Sequence, residues 1–218
     1  GTKTQDFGTL AGDGIGGRYN TITGNIIIGA AKSGIIPGLQ CTITGNIIIA
    51  PGSNGIDYWY SSYSVISGNQ ILYPGNVDLG GDWDQSGIDV ADHSAHTLIT
   101  SNYVNGQASL VTDTLAATAT SGNNYIQVSD FTRWYSGMRI KIGASDKYRI
   151  DYIDYANSRV YLTTNLSTNY SSSTAVAGVD CMTVGICVGD NGQSLGTHVI
   201  MANYIMGPTT DRYMPSGS

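Results

Sequence analysis

Hydrophobic residues are spaced along this chain in short blocks rather than with the 3.6-residue period of a helix. One block is written five times: "NTITGNIII" at 20–28, "CTITGNIII" at 41–49, "SVISGNQIL" at 64–72, "TLITSNYVN" at 97–105 and "HVIMANYIM" at 198–206. Aligned on Asn25, Asn46, Asn69, Asn102 and Asn203, the copies share two apolar columns. Three residues before the Asn stand Ile22, Ile43, Ile66, Ile99 and Ile200, and two after it stand Ile27, Ile48, Ile71, Val104 and Ile205. Both columns are assigned to the core. They are five residues apart, an odd number, so an unbroken strand of period two would send them to opposite faces. A bend at the small residue before the Asn (Gly24, Gly45, Gly68, Ser101, Ala202) is therefore predicted. The residue after the Asn, which includes Gln70, Tyr103 and Tyr204, is expected to face solvent.

A second signature accompanies the copies, a Gly followed by a β-branched residue: "SGIIPG" at 33–38, "NGIDYWY" at 54–60, "SGIDVAD" at 86–92 and "VGICVGD" at 184–190. Two short β segments per repeat, joined by Gly, Asn and Ser turns and recurring at steps of 21 and 23 residues, make one coil of a parallel solenoid. The Asn column is read as structural, a ladder of turn-facing amides repeated about every 4.8 Å.

These two signatures together resemble the right-handed parallel β-helix, or pectin-lyase-like, superfamily. The resemblance covers roughly two thirds of the chain and implies an all-β fold, a right-handed parallel β-helix. That superfamily holds lyases, glycosidases, epimerases, phage tailspikes and adhesins, so fold is specified better than function. Composition agrees with the fold: all sixteen acidic residues are Asp, with abundant Gly, Thr, Ser and Tyr, a pattern that disfavours helix.

The repeat is interrupted twice. From the Asn to the next Gly-Ile the spacing is nine residues at Asn25 and Asn46, but eighteen at Asn69 and eighty-three at Asn102. Both enlargements leave the same corner of successive coils, where insertions commonly mark a functional face. The large one alternates in "YIQV", "MRIKI", "YRIDYI" and "RVYL", which predicts a small antiparallel β module of about five strands, barrel-like. The expected organisation is thus solenoid over 1–106, inserted module over 107–178 and solenoid again over 179–218.

A net charge of −6 and a pI near 4.7 argue against nucleic acid as a partner. No apolar run approaches membrane-spanning length. The start lacks a signal-peptide pattern and neither end reads as a cap, so a piece of a longer extracellular or virion protein is expected; the tailspike resemblance allows a homotrimer of the full-length form. Cys41, Cys181 and Cys187 are read as small buried or half-buried thiols, a Cys181–Cys187 disulfide being compatible but not implied.

Candidate chemistry centres on Asp57 and Asp89. With Ile56, Tyr58, Ile88 and Val90 inward, both carboxylates point outward from neighbouring coils, about 5 Å apart. The adjacent long loop adds Asp82, Trp83 and Asp84, and Trp59 follows Asp57 in its strand. Such a group can act as an acid and nucleophile pair, hold Ca²⁺ by oxygen ligands, or simply repel in water. Asp57 and Asp89 are the candidate catalytic residues; Trp59, Asp82, Trp83 and Asp84 are the candidate substrate contacts. No cofactor is assigned, with Ca²⁺ as the alternative. His93 and His96 are read as turn histidines. The Arg or Lys base of pectate-lyase chemistry has no match in the Asp coil, and the "NTD", "DD" and "GHG" elements of polygalacturonases are absent, so the resemblance transfers no catalytic residue. The function expected is recognition of an extracellular polysaccharide, with depolymerisation open; the alternative is a non-catalytic structural or adhesive solenoid.

Overall fold

The computed structural model describes residues 4–6, 14–59, 62–76, 85–91, 94–144, 146–188 and 197–207. Sixteen strands stack into three parallel sheets. The first sheet runs Thr4–Asp6, Ile26–Ile28, Ile47–Ile49, Gln70–Leu72, Tyr103–Asn105 and Tyr204–Met206. The second runs Ile15–Gly17, Ile35–Pro37, Ile56–Trp59, Ser86–Ala91 and Val184–Val188. The third runs Thr21–Thr23, Thr42–Thr44, Val65–Ser67, Leu98–Thr100 and Val199–Met201. The expectation of two β segments per coil is corrected to three, because the bend splits each "TITGNIII" block between the third and first sheets. Among the described residues helix is confined to short 3-10 turns, such as Ala108–Leu110 and Phe131–Arg133.

The bend falls where the odd spacing required it. Gly24, Gly45, Gly68, Ser101 and Ala202 all adopt left-handed backbone, φ 66°, 63°, 64°, 56° and 52°. Reversing the alternation there brings both apolar columns inside in the central coils, where Ile43, Ile48, Ile66, Ile71, Ile99 and Val104 are fully buried; Ile200 and Ile205, expected in the core, are each 42% exposed, because no further described coil stacks on theirs. The Gly of the Gly-Ile signature has a different cause. A Cβ on Gly34, Gly55 or Gly87 would lie within 2.4 Å of a methyl of Ile48, Ile71 or Val104, so only a bare Cα lets the second sheet close on the first.

The Asn side chains form the expected ladder at the bend, and in the central coils they do so inside the solenoid. Asn46, Asn69 and Asn102 are at most 1% exposed. Asn46 Nδ2 donates to Asn69 Oδ1 at 2.9 Å and to the Ile22 carbonyl at 2.9 Å. Its Oδ1 accepts from Nδ2 and from the backbone N–H of Asn25, at 2.9 and 3.1 Å. The same set repeats through Asn69, Asn102 and Asn203.

Thr112–Gly178 holds a six-stranded antiparallel sheet rather than about five strands. The additional strand, Thr112–Thr114, is three residues of "TDT" with no apolar alternation to betray it. A Leu115–Val128 bridge joins the two outer strands of the sheet, giving a barrel-like wall. This unit does not stand clear of the solenoid: its core of Trp134, Met138 and Ile140 includes Ile49 and Ala50, and Ile28, Ile47, Leu72 and Tyr73 pack against it. The position after the Asn is consequently exposed at Gln70 and Tyr204 but half-buried at Ile47. Trp134, a sugar-stacking candidate by type, is a core residue at 2% exposure.

The bend makes a clean conformational test. Nothing lies within 4 Å of a Cβ built on Gly45, so Gly45→Ala should cost about 1 kcal/mol from left-handed backbone alone. Urea unfolding measures it; an unchanged midpoint would contradict the bend.

Candidate functional site

The outer face of the second sheet brings Asp57 and Asp89 together as predicted. They are register partners in adjacent parallel strands, and the column continues from Asp89 to Cys187. Of the three alternatives, two carboxylates merely repelling in water does not hold, since Asp57 is 7% and Asp89 2% exposed. Ser33, itself buried, donates its hydroxyl to Asp57 Oδ2 at 2.8 Å. Two carboxyls held in neighbouring strands and shielded from water interact more strongly than on a surface, and like-charge proximity favours the protonated form of one of them.

Trp59 closes the Asp57 strand and its backbone pairs with Ala91; Asp82, Trp83, Asp84 and His93 lie outside the described residues. The two enlarged loops do leave one corner and touch there: Asn76 Oδ1 accepts from the Arg139 backbone N–H at 2.8 Å, and Thr183 N–H donates to the Gln85 carbonyl at 2.9 Å. All three cysteines are free thiols, two of them buried. Burial pushes the Cys181 pKa up, against a smaller opposing effect of Arg139.

A second face was missed by the sequence reading. At the corner leading into the third sheet stand Tyr19, Gln40, Tyr63 and His96, one per coil, each three residues before an inward Ile. All four hold left-handed backbone, φ 57°, 53°, 58° and 52°. Tyr19 and Tyr63 are 68% and 64% exposed, and Tyr63 stacks on His96 with centroids 4.9 Å apart. Beside this row the third sheet presents a hydroxyl column, Thr23, Thr44, Ser67 and Thr100, in register. Thr44 Oγ1 donates to Thr23 Oγ1 at 3.3 Å. The signal was available: the column alignment, read one position farther upstream, contains the row.

A family model described as "Periplasmic copper-binding protein (NosD)" matches residues 15–130, just over half of the chain's 218 residues. The chain belongs to the NosD family. The NosD match takes in the coils that carry Asp57, Asp89 and the Tyr63 corner, and ends inside the antiparallel module. NosD is a family of right-handed parallel β-helices, so it agrees with the three stacked sheets. No curated protein matches the chain.

His198 extends the buried column that begins Cys41, Ser64 and Thr97. Burial lowers its pKa, the nearby His96 adds to that, and the Ser94 backbone opposes it. A folded-state pKa below the ordinary 6.5 favours the neutral ring. The resulting stability is present above that pH and lost as pH falls through the lower folded value. Thermal melts from pH 7.5 to 5 should therefore show a falling midpoint that His198→Gln flattens; an identical pH profile in the variant would contradict it.

Proposed function

We propose that this chain recognises an extended polysaccharide outside the cytoplasm, along the third sheet and its aromatic corner. The supporting observation is the positive φ of Tyr19, Gln40, Tyr63 and His96. Left-handed backbone favours Gly, and each larger side chain costs about 1 kcal/mol more. Four successive coils keep a large side chain there and hold two of the rings in solvent, which suits a role for the side chains themselves. Tyrosine rings stack on sugar faces, while a flat row of hydroxyls offers donors and acceptors at the coil repeat, about 4.8 Å. A linear glycan lying parallel to the solenoid axis would meet both.

Membership of a family described as periplasmic supports a periplasmic or other extracytoplasmic setting. No described helix is long and apolar enough to cross a membrane. The same description names copper, but the described residues do not fit it. None of them forms a group of three or more His, Cys, Asp or Glu able to hold a metal. Cys41, a natural soft ligand, is buried with its thiol directed to the Gly17 and Leu39 carbonyls. No step of the proposed activity runs through copper.

Depolymerisation is assigned to Asp57 and Asp89 as an acid and nucleophile pair, with Trp59, Asp82, Trp83 and Asp84 as the accompanying sugar contacts. Register adjacency favours this role. The burial of both carboxyls favours the second reading, a non-catalytic adhesive solenoid in which the pair shares a proton or holds Ca²⁺. One experiment separates them. Binding of neutral and acidic polysaccharides to wild-type protein is measured together with reducing-end release. Tyr63→Ala should weaken binding about tenfold, the loss of roughly 1.4 kcal/mol. Asp89→Asn should abolish release while leaving binding intact. Wild-type binding without release supports the adhesive reading, and unchanged binding by Tyr63→Ala sinks the proposed face.

A further inference from the structure

The antiparallel module carries a charge pattern that the solenoid reading does not use. The strands Arg139–Ile142 and Asp146–Asp154 pair antiparallel with Arg139 opposite Arg149 and Lys141 opposite Lys147. Alternation fixes where these side chains go: Ile140, Ile142, Tyr148 and Ile150 are buried in the module core, so the four cations share its outer face. Lys141 and Lys147 are exposed, and Arg139 and Arg149 are half-buried. Four of the chain's ten Lys and Arg residues are thus gathered on two strands of a protein whose net charge is −6.

Like charges placed directly opposite across a sheet are destabilising, and natural sheets ordinarily pair such positions with the opposite sign. Here the facing partners carry the same sign. Among the described residues the one ion pair within 4 Å joins Arg133 to Asp130, outside this cluster. Asp151, two residues beyond Arg149 on the same strand, acts on Arg149, and Asp180 is engaged by the backbone N–H and hydroxyl of Ser109 at 2.7 Å. Arg149 spends its Nε on the Gly137 carbonyl at 3.1 Å. Its Nη2 is buried and without a hydrogen-bond partner.

The outer face continues into aromatic rings. A bulge between Ile150 and Ile153 shifts the register of the strand carrying Arg149. Within it, Tyr152 stacks on Tyr161 with centroids 4.5 Å apart and rings within 9° of parallel. Tyr161 is followed across the sheet by Tyr125, over whose ring the Arg159 guanidinium lies at 4.3 Å. Cations beside standing tyrosine rings can satisfy an anionic group and a sugar face at once.

We propose that the face formed by Arg139, Lys141, Lys147 and Arg149 is a binding site for the carboxylate or sulfate groups of an acidic polysaccharide. This rests on the polysaccharide reading above and adds a substrate class to it. A nucleic acid is the less fitting polyanion: its affinity depends on many phosphate contacts, and the remaining surface of this chain repels them. In the acidic-glycan reading, the exposed Lys141 and Lys147 contact the anionic groups and the half-buried Arg139 and Arg149 add their charge to the same face, while the solenoid corner stacks neutral rings.

The test uses the full chain and three probes at low ionic strength: polygalacturonate, dextran sulfate, and neutral dextran, with a single-stranded oligonucleotide as competitor. Wild-type protein should bind at least one of the two acidic polymers and prefer it to dextran, with affinity falling as salt rises. Lys141→Glu with Lys147→Glu should weaken that binding at least tenfold and lower the salt dependence. The melting temperature should hold, because both residues are exposed; Lys141→Gln with Lys147→Gln, which removes the like-charge pair altogether, should weaken binding in the same way and hold or raise the melting temperature. Tyr63→Ala in parallel keeps the two readings apart, since it weakens the solenoid contact without touching the module's charges. The inference is overturned if neither acidic polymer binds, if the double variant binds as wild type does, or if the oligonucleotide is preferred.

Discussion

The interior amide ladder is the constraint on which the rest of the architecture depends. At each bend the left-handed residue interrupts the sheet ladder and leaves the carbonyls of Ile22, Ile43, Ile66 and Ile99 pointing into the solenoid, where an unmet acceptor would cost about 1–3 kcal/mol. Asn Nδ2 meets each of them, at 2.9 to 3.0 Å. The same amide then donates to the next Asn and accepts twice from the previous one. A carboxylate lacks the donors and an aliphatic residue lacks both functions. Because every amide is tied to the coils on either side, the bend, the inward turn of both Ile columns and the register of all three sheets are specified together.

That register decides what the surface can do. Outward positions become columns of side chains repeated coil by coil, so a residue type placed once per repeat forms a row. Asp57 with Asp89, the Thr23 to Thr100 hydroxyls, and the Tyr19 to His96 corner are three such rows. The rows differ in access to water: the carboxylates are buried, the aromatics stand free. The antiparallel module covers the outer face of the first sheet at Ile28, Ile47 and Leu72. It compensates for apolar residues that a bare solenoid would have left facing solvent, and its own outer face supplies the cations that the coils lack.

The fold was legible because repetition averages out local ambiguity. Five aligned copies locate the bend from an odd spacing alone, and left-handed φ at Gly45 and Ser101 follows from the same arithmetic. The number of sheets was not legible, since three-residue strands on the two sides of a bend read as a single apolar block. Burial of Asp57 and Asp89 was hidden too. Their pairing follows from column alignment within the repeat, whereas side-chain alternation by itself turns both toward solvent. Trp134 shows the converse, a residue whose type suggests sugar stacking but whose place is the module core. The Tyr63 row and the Arg139–Arg149 pair were both readable in principle. The first needed one further column; the second needed the hairpin register, which side-chain alternation does not by itself specify.

A double-mutant cycle on Asn46 and Asn69 tests the central claim most directly. Asn46→Ala, Asn69→Ala and the double variant are compared by urea unfolding. If the amides act as one ladder, the second substitution is less costly than the first, because its partner is already gone, and the coupling energy is at least about 1 kcal/mol. Effects that add to within about 0.3 kcal/mol would mean that each Asn merely caps its own bend, and the account of how the coils are held in register would be wrong.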